Sequence, residues 1–147
     1  MAIKTRIEED LHKALRQANK ERLEVLRMLK TALTFKEKEA GKEITEEEAV
    51  GVLQKEKKQR IEAAGEYRRG EREDLAQKEE KEAKIIDEYL PAQLSDDKLK
   101  KIVEQTIQEV QAKGRDDFGK VMGKVMGKVK GQADGQKVKE FVWQLLS

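Results

Sequence analysis

The chain has 147 residues, 42% of them charged and 4% aromatic, and its 32 basic and 30 acidic groups nearly cancel. That balance excludes a disordered polyelectrolyte, which needs a strong net charge. The absence of cysteine excludes a disulfide framework and a thiolate metal site.

Richness in Glu, Lys and Arg with a single proline reads as long, solvated helices. Ile3, Ile7, Leu11, Ala14, Leu15 and Ala18 recur at steps of three and four, which predicts an amphipathic helix over about residues 2–18. After Asn19, the set Leu23, Leu26, Met28, Leu29, Ala32 and Leu33 predicts a second helix, ended by Gly41. Thr45 and Glu48 have capping-box spacing and open a third helix, with Ala49, Val52, Leu53, Ala63, Ala64 and Tyr67 inward. Gly65 and Gly70 weaken its far end. A fourth helix is predicted over about 72–89, with Leu75, Ala83, Ile86, Tyr89 and Leu90 inward. Asp74–Lys78 and Glu80–Lys84 are spaced for ion pairs along its surface.

Pro91 cannot continue that helix, and Ser95 followed by two aspartates is a fresh N-cap signal. The domain boundary is expected here, giving an N-terminal domain over 1–92 and a second over 93–147. Leu99, Ile102, Val103, Thr106, Ile107 and Val110 mark a fifth helix, with Gly114 expected to stop it. A sixth begins near Asp116 or Asp117 and ends at Gly131. Asp134 caps a seventh that buries Val138, Phe141, Val142, Leu145 and Leu146. No segment alternates with period two over strand length, so the expected class is all-α, four helices followed by a small three-helix domain.

No apolar run approaches the roughly 20 residues that span a bilayer, and the start MAIKTRIEEDL lacks a signal-peptide core. A cytoplasmic protein with no membrane association is expected. A single asparagine beside heavy Glu/Lys use hints at a heat-adapted source.

From 113 to 139 there are 8 basic groups against 3 acidic. This local surplus coincides with a repeat in which glycine recurs at 119, 123, 127 and 131, lysine at 120, 124 and 128, and valine at 121, 125 and 129. On a helix turning about 100° per residue, a four-residue repeat makes four slowly drifting stripes. Valine and methionine neighbour each other as an apolar face, and the glycines lie between methionine and lysine, at the edge of the core. An interior glycine costs roughly 1 kcal/mol relative to alanine. Close approach of a neighbouring helix would offset that cost. So would close approach of a nucleic-acid backbone with Lys120, Lys124 and Lys128 facing phosphates. A tandem duplication without purpose in each copy is the third reading.

The segment Asp117-Phe118-Gly119-Lys120-Val121-Met122-Gly123, followed by Lys128-Val129-Lys130-Gly131-Gln132-Ala133-Asp134-Gly135, closely resembles the signature of YqeY-type proteins, the stand-alone branch of the GatB/YqeY family. Glu21-Arg22-Leu23, Arg27-Met28, Lys58-Gln59-Arg60, Arg72-Glu73-Asp74-Leu75 and Glu88-Tyr89-Leu90-Pro91-Ala92-Gln93-Leu94-Ser95 extend the likeness over nearly the whole chain. Gly135 stands where GatB tails usually carry proline, which favours the YqeY type. Gly127 and Lys124 depart from the YqeY pattern. The resemblance implies a bacterial, cytoplasmic, two-part helical protein whose second part is similar to the tail by which the Glu-tRNA(Gln)/Asp-tRNA(Asn) amidotransferase docks on tRNA. The expected partner is tRNA, with an amidotransferase or aminoacyl-tRNA synthetase complex as the alternative. The expected RNA-binding residues are Arg115, Lys120, Lys124, Lys128, Lys130, Gly131 and Lys137, with Gly119 and Gly123 as points of close approach.

The family label also implies carbon–nitrogen ligase activity with glutamine as amido donor, but the residues do not supply it. Glutamine hydrolysis needs an activated nucleophile; there is no cysteine, and the serines are the N-cap Ser95 and the last residue, Ser147. Activation by phosphorylation needs a nucleotide cradle, and no P-loop pattern occurs. No catalytic residue, metal or cofactor is expected, and any activity would belong to a larger complex. His12, the sole histidine, reads as an exposed helix residue. Arg27, Arg60, Arg68, Arg69 and Arg72 either pair with acids across the N-terminal helices or form a second anion-binding patch. Trp143 lies off the apolar stripe of its helix and either packs between domains or offers a base-stacking surface.

Overall fold

Four polar side chains open helices. The Asn19 carboxamide oxygen accepts from the Arg22 N–H at 3.2 Å, the Ser95 hydroxyl from Lys98 at 3.3 Å, and the Asp134 carboxylate from Gln136 at 3.4 Å. Thr45 and Glu48 form the full reciprocal box. In the computed structural model, which describes residues 2–146, these caps start four of seven α-helices, and no strand occurs among the described residues. The helices are α1 (Ile3–Arg16), α2 (Lys20–Ala40), α3 (Glu46–Arg69), α4 (Glu73–Asp87), α5 (Asp96–Glu109), α6 (Phe118–Val129) and α7 (Gly135–Leu145). A single 3-10 turn, Arg115–Asp117, leads into α6. The chain divides into two compact units, one up to Leu90 and one from Pro91 on.

The first unit holds α1–α4. Its core gathers Ile3, Ile7, Leu11 and Ala14 of α1, Val25, Leu26, Leu29 and Leu33 of α2, Ala49, Val50 and Leu53 of α3, and Ile86 and Tyr89. Burying each large aliphatic side chain stabilises the unit by about 1.5–3 kcal/mol before ordering costs. Toward the other end, α3 and α4 pair through the small buried residues Ala64, Ala76 and Ala83. The chain after α4 is pinned by Tyr89. Its hydroxyl donates to the Asp10 carboxylate at 2.5 Å and accepts from Arg22 at 3.2 Å, while the Arg6 guanidinium lies 5.0 Å from the ring centroid. The Glu37 carboxylate joins α1 to the α2–α3 connection, accepting from Lys4 at 3.0 Å and from the Ile44 N–H at 2.9 Å.

In the second unit, Leu99, Val103, Val121, Val125, Val129, Ala133, Val138, Val142 and Leu146 form the core. The entering strand of chain is tied to the α6–α7 turn, where the Leu94 N–H donates to the Gln132 carbonyl at 2.8 Å. Gly131 takes φ 80° in that turn, directly after Lys130 at φ 30°. A left-handed residue favours glycine, and here two stand in succession.

Several sequence expectations need correction. Leu15 is 48% exposed and Ala18 lies beyond α1 in a left-handed turn at φ 54°, so neither joins the core; α1 closes two residues earlier than its apolar pattern. Gly114 does not stop α5, because Gln111 already turns left-handed at φ 55°. Tyr67 is exposed, and Phe141 and Leu145 are only partly covered. Asp74 and Glu80 take arginine partners, Arg72 and Arg68, in place of the lysines four residues on. Ser147 lies outside the described residues.

Candidate nucleic-acid interface

Val121, Val125 and Val129 on α6 are fully buried. With that stripe fixed inward, the helical period turns the glycines and lysines outward. Gly119, Gly123 and Gly127 are exposed, and a Cβ built at any of them would meet no atom of the unit within 4 Å beyond the adjoining backbone of α6 itself. Of the readings left open by the repeat, close approach of a neighbouring helix is thereby removed for this unit. The apolar face is also narrower than a joined valine–methionine face: Met122 packs against the core, but Met126 is 36% exposed.

The lysines fall into two groups. Lys120 and Lys124 are exposed, one turn apart on α6, and form no ion pair among the described residues. Lys130, in the left-handed position that ends α6, is likewise exposed and unpaired. Lys128 is engaged within the fold, donating to Glu109 at 2.8 Å and to the buried Thr106 hydroxyl at 3.0 Å. That hydrogen bond holds the Glu109 carboxyl below its usual range; partial burial opposes the shift, and the charges of Lys128 and Lys124 add to it. Lys137 pairs with Asp96 at 2.6 Å. The Gly131 carbonyl accepts from the Gln93 side chain at 3.1 Å, so this glycine serves the turn as well.

Arg115 belongs to a different cluster. Its guanidinium carbon sits 4.3 Å from the Trp143 ring centroid, and its Nε donates to the Leu146 carbonyl at 3.0 Å. Phe118 meets Trp143 edge-on, with centroids 5.8 Å apart. Sequence spacing did not reveal this grouping, nor the counter-ions Glu109 and Asp96. Each joins residues on different elements, and local periodicity carries no signal for such pairs.

In the first unit, much of the arginine set is paired with acids. Arg60 bonds Glu56 at 2.8 Å, contacts the Met28 sulfur and lies 3.6 Å from Glu82, whose carboxyl is pushed up by burial. Arg68 bridges Glu73 and Glu80 and holds both carboxyls below their usual range. Arg72 reaches Asp74, while Arg27 and Arg69 are exposed. His12 is exposed, and no group of three or more His, Cys, Asp or Glu among the described residues is arranged to hold a metal. Between α2 and α3 runs an open groove of about 840 Å3, lined by the apolar Met28, Ala32, Phe35 and Val52 and by charged residues of both signs, among them Lys36, Lys55, Glu39 and Glu48. Phe35 is 63% exposed there. Among the described residues, no helix is long and apolar enough to cross a membrane.

Comparison with known proteins agrees with the pattern of residues across both units. No individually curated protein matches the chain. The family model described as Yqey-like protein matches residues 4–146, from the first turn of α1 to the end of the second core. The chain belongs to the YqeY family.

Proposed function

We propose that the chain is a cytoplasmic tRNA-binding accessory protein, in which residues 93–147 form a domain similar to the tRNA-docking tail of amidotransferases and residues 1–92 form a separate helical domain. One observation carries this reading. The glycine stripe of α6 opens onto empty space beside Lys120 and Lys124, so nothing in the unit offsets the cost of glycine inside a helix. An RNA backbone lying along Gly119 and Gly123 would use the missing side chains and place phosphates near the two unpaired lysines. Lys130 extends the cationic row. Lys128 and Lys137 contribute less, because each is held by an acid of the same unit. Catalysis is not assigned to the chain alone; the carbon–nitrogen ligase label would apply to a complex.

The test is a filter-binding titration of tRNA at several salt concentrations, with wild type and Lys120→Ala/Lys124→Ala. The double variant should bind more weakly, with a salt dependence shallower by about 1–2 in log–log slope, as expected when two phosphate contacts are lost. Equal affinity and slope for both proteins would remove the stripe from the reading.

The α2–α3 groove supports a second reading, in which the first unit docks on an amidotransferase or synthetase complex. Its apolar walls and the exposed Phe35 suit a helix from a protein partner. Co-purification with and without RNase separates the two. A partner that survives RNase and is lost in Phe35→Glu favours protein docking, and one released by RNase favours tRNA.

A further inference from the structure

Trp143 is the chain's one tryptophan, yet α7 buries Val138 and Val142 and leaves Trp143 47% exposed. What lies against the indole is only partly apolar. Arg115 stacks over it at 4.3 Å, and Phe118 braces it at 73° between ring planes. The Arg115 Nε–H is used on the Leu146 carbonyl, which fixes the guanidinium in place. Its terminal nitrogens have no acid partner among the described residues. The cluster therefore joins an exposed aromatic ring, a braced guanidinium with no acid partner among the described residues, and Phe118, which begins α6 two residues before Lys120.

An exposed indole beside an arginine with no acid partner among the described residues is the chemistry that receives an unstacked base: the part of the ring that Arg115 leaves uncovered offers stacking surface, and the guanidinium offers donors to a phosphate or base edge. A continuous duplex can satisfy lysines through its phosphates, but its bases stay stacked on one another. We propose that Trp143, with Arg115 beside it, is a stacking platform for an unpaired RNA base. The second unit then reads a loop or an end in preference to uninterrupted duplex. This rests on the RNA-binding reading of α6 and adds the conformation of RNA it selects.

The single tryptophan makes the test direct, since emission reports this site alone. The full-length protein is titrated with an RNA hairpin bearing an unpaired loop and, separately, with a blunt RNA duplex of equal charge. The hairpin should quench Trp143 emission saturably, and the duplex should bind through the lysines without quenching. Trp143→Leu should weaken hairpin binding at least about fivefold and leave duplex binding unchanged. Trp143→Tyr, which keeps an aromatic face, should retain most of the affinity in filter binding. Hairpin binding without quenching, equal quenching by both RNAs, or equal losses on both RNAs in Trp143→Leu would overturn the platform while leaving RNA binding intact. Failure of wild type to bind either RNA at low salt would sink the α6 reading and the platform with it. A blue shift of the emission on adding a protein partner, with no response to RNA, would also overturn the proposal.

Discussion

Gly123→Ala isolates the central feature of α6. Gly123 is the sixth residue of a 12-residue helix, so its backbone is held on both sides. The added Cβ meets nothing within 4 Å beyond the adjoining backbone of α6, and the substitution neither strains the backbone nor displaces a neighbour. What remains is helix propensity, about 0.8–1.0 kcal/mol in favour of alanine. The unfolded chain also loses freedom, an effect of the same size that overlaps with the first. The variant should therefore be more stable by about 1 kcal/mol. Gly127 lies nearer the end of α6, and adding Gly127→Ala should bring the total to about 1.5–2 kcal/mol. Urea unfolding followed by Trp143 emission reads the second unit specifically, because the only tryptophan lies there. With a slope near the low end for a small domain, about 1 kcal/mol per molar urea, the midpoint of Gly123→Ala should rise by roughly 1 M. An unchanged or lower midpoint would refute the argument, since it would mean that the stripe is not open in the folded protein. The same variant should bind tRNA more weakly although it is more stable. Unchanged binding would remove Gly123 as a point of close approach.

Lys128→Ala should cost the second unit about 0.5–1 kcal/mol in the same urea assay, since the partly exposed bond to Glu109 and the bond to Thr106 are lost. It should weaken tRNA binding less than Lys120→Ala. In the first unit, burial and, second, the bond to Asp10 push the Tyr89 hydroxyl up to about 12, with Arg22 opposing. An unfolded tyrosine ionises near pH 10, so this stabilisation is complete below about pH 10 and is lost as pH rises toward 12, an effect of about 2–3 kcal/mol. Tyr89→Phe should flatten that alkaline loss relative to wild type, measured by circular dichroism in urea at several pH values. Glu37 is held below its usual range, first by the Ile44 N–H and then by Lys4. Its contribution is present above the ordinary glutamate range and disappears as pH falls through the lowered value, so Glu37→Gln should lessen the acid sensitivity of the first unit in the same assay.

The elements themselves were legible because helix signals are local. Thr45 with Glu48, Ser95 and Asp134 each announce a start within four residues, and the apolar spacing of α1, α5 and α6 runs over several turns. Gly41 ends α2 in left-handed backbone as its position suggests, but boundaries are less legible where a residue other than glycine makes the turn. Ala18, Glu71, Gln111 and Lys130 all take left-handed backbone, and nothing in their identity announces it. Val25 and Ala76 are buried without having been singled out, because which side of a helix faces inward over its full length depends on the helix packed against it.

The same division runs through the site. Periodicity alone places Gly119, Gly123, Lys120 and Lys124 on adjoining stripes of one helix, since a repeat of four on a period of 3.6 fixes their relative angles whatever surrounds them. Periodicity is silent on what faces those stripes. Only the packed structure leaves the glycines open, assigns Lys128 to Glu109 and Lys137 to Asp96, and sets Arg115 over Trp143. Those facts depend on pairs 19, 41 and 28 residues apart, and such pairs come together only when hydrophobic burial draws separate helices around one core.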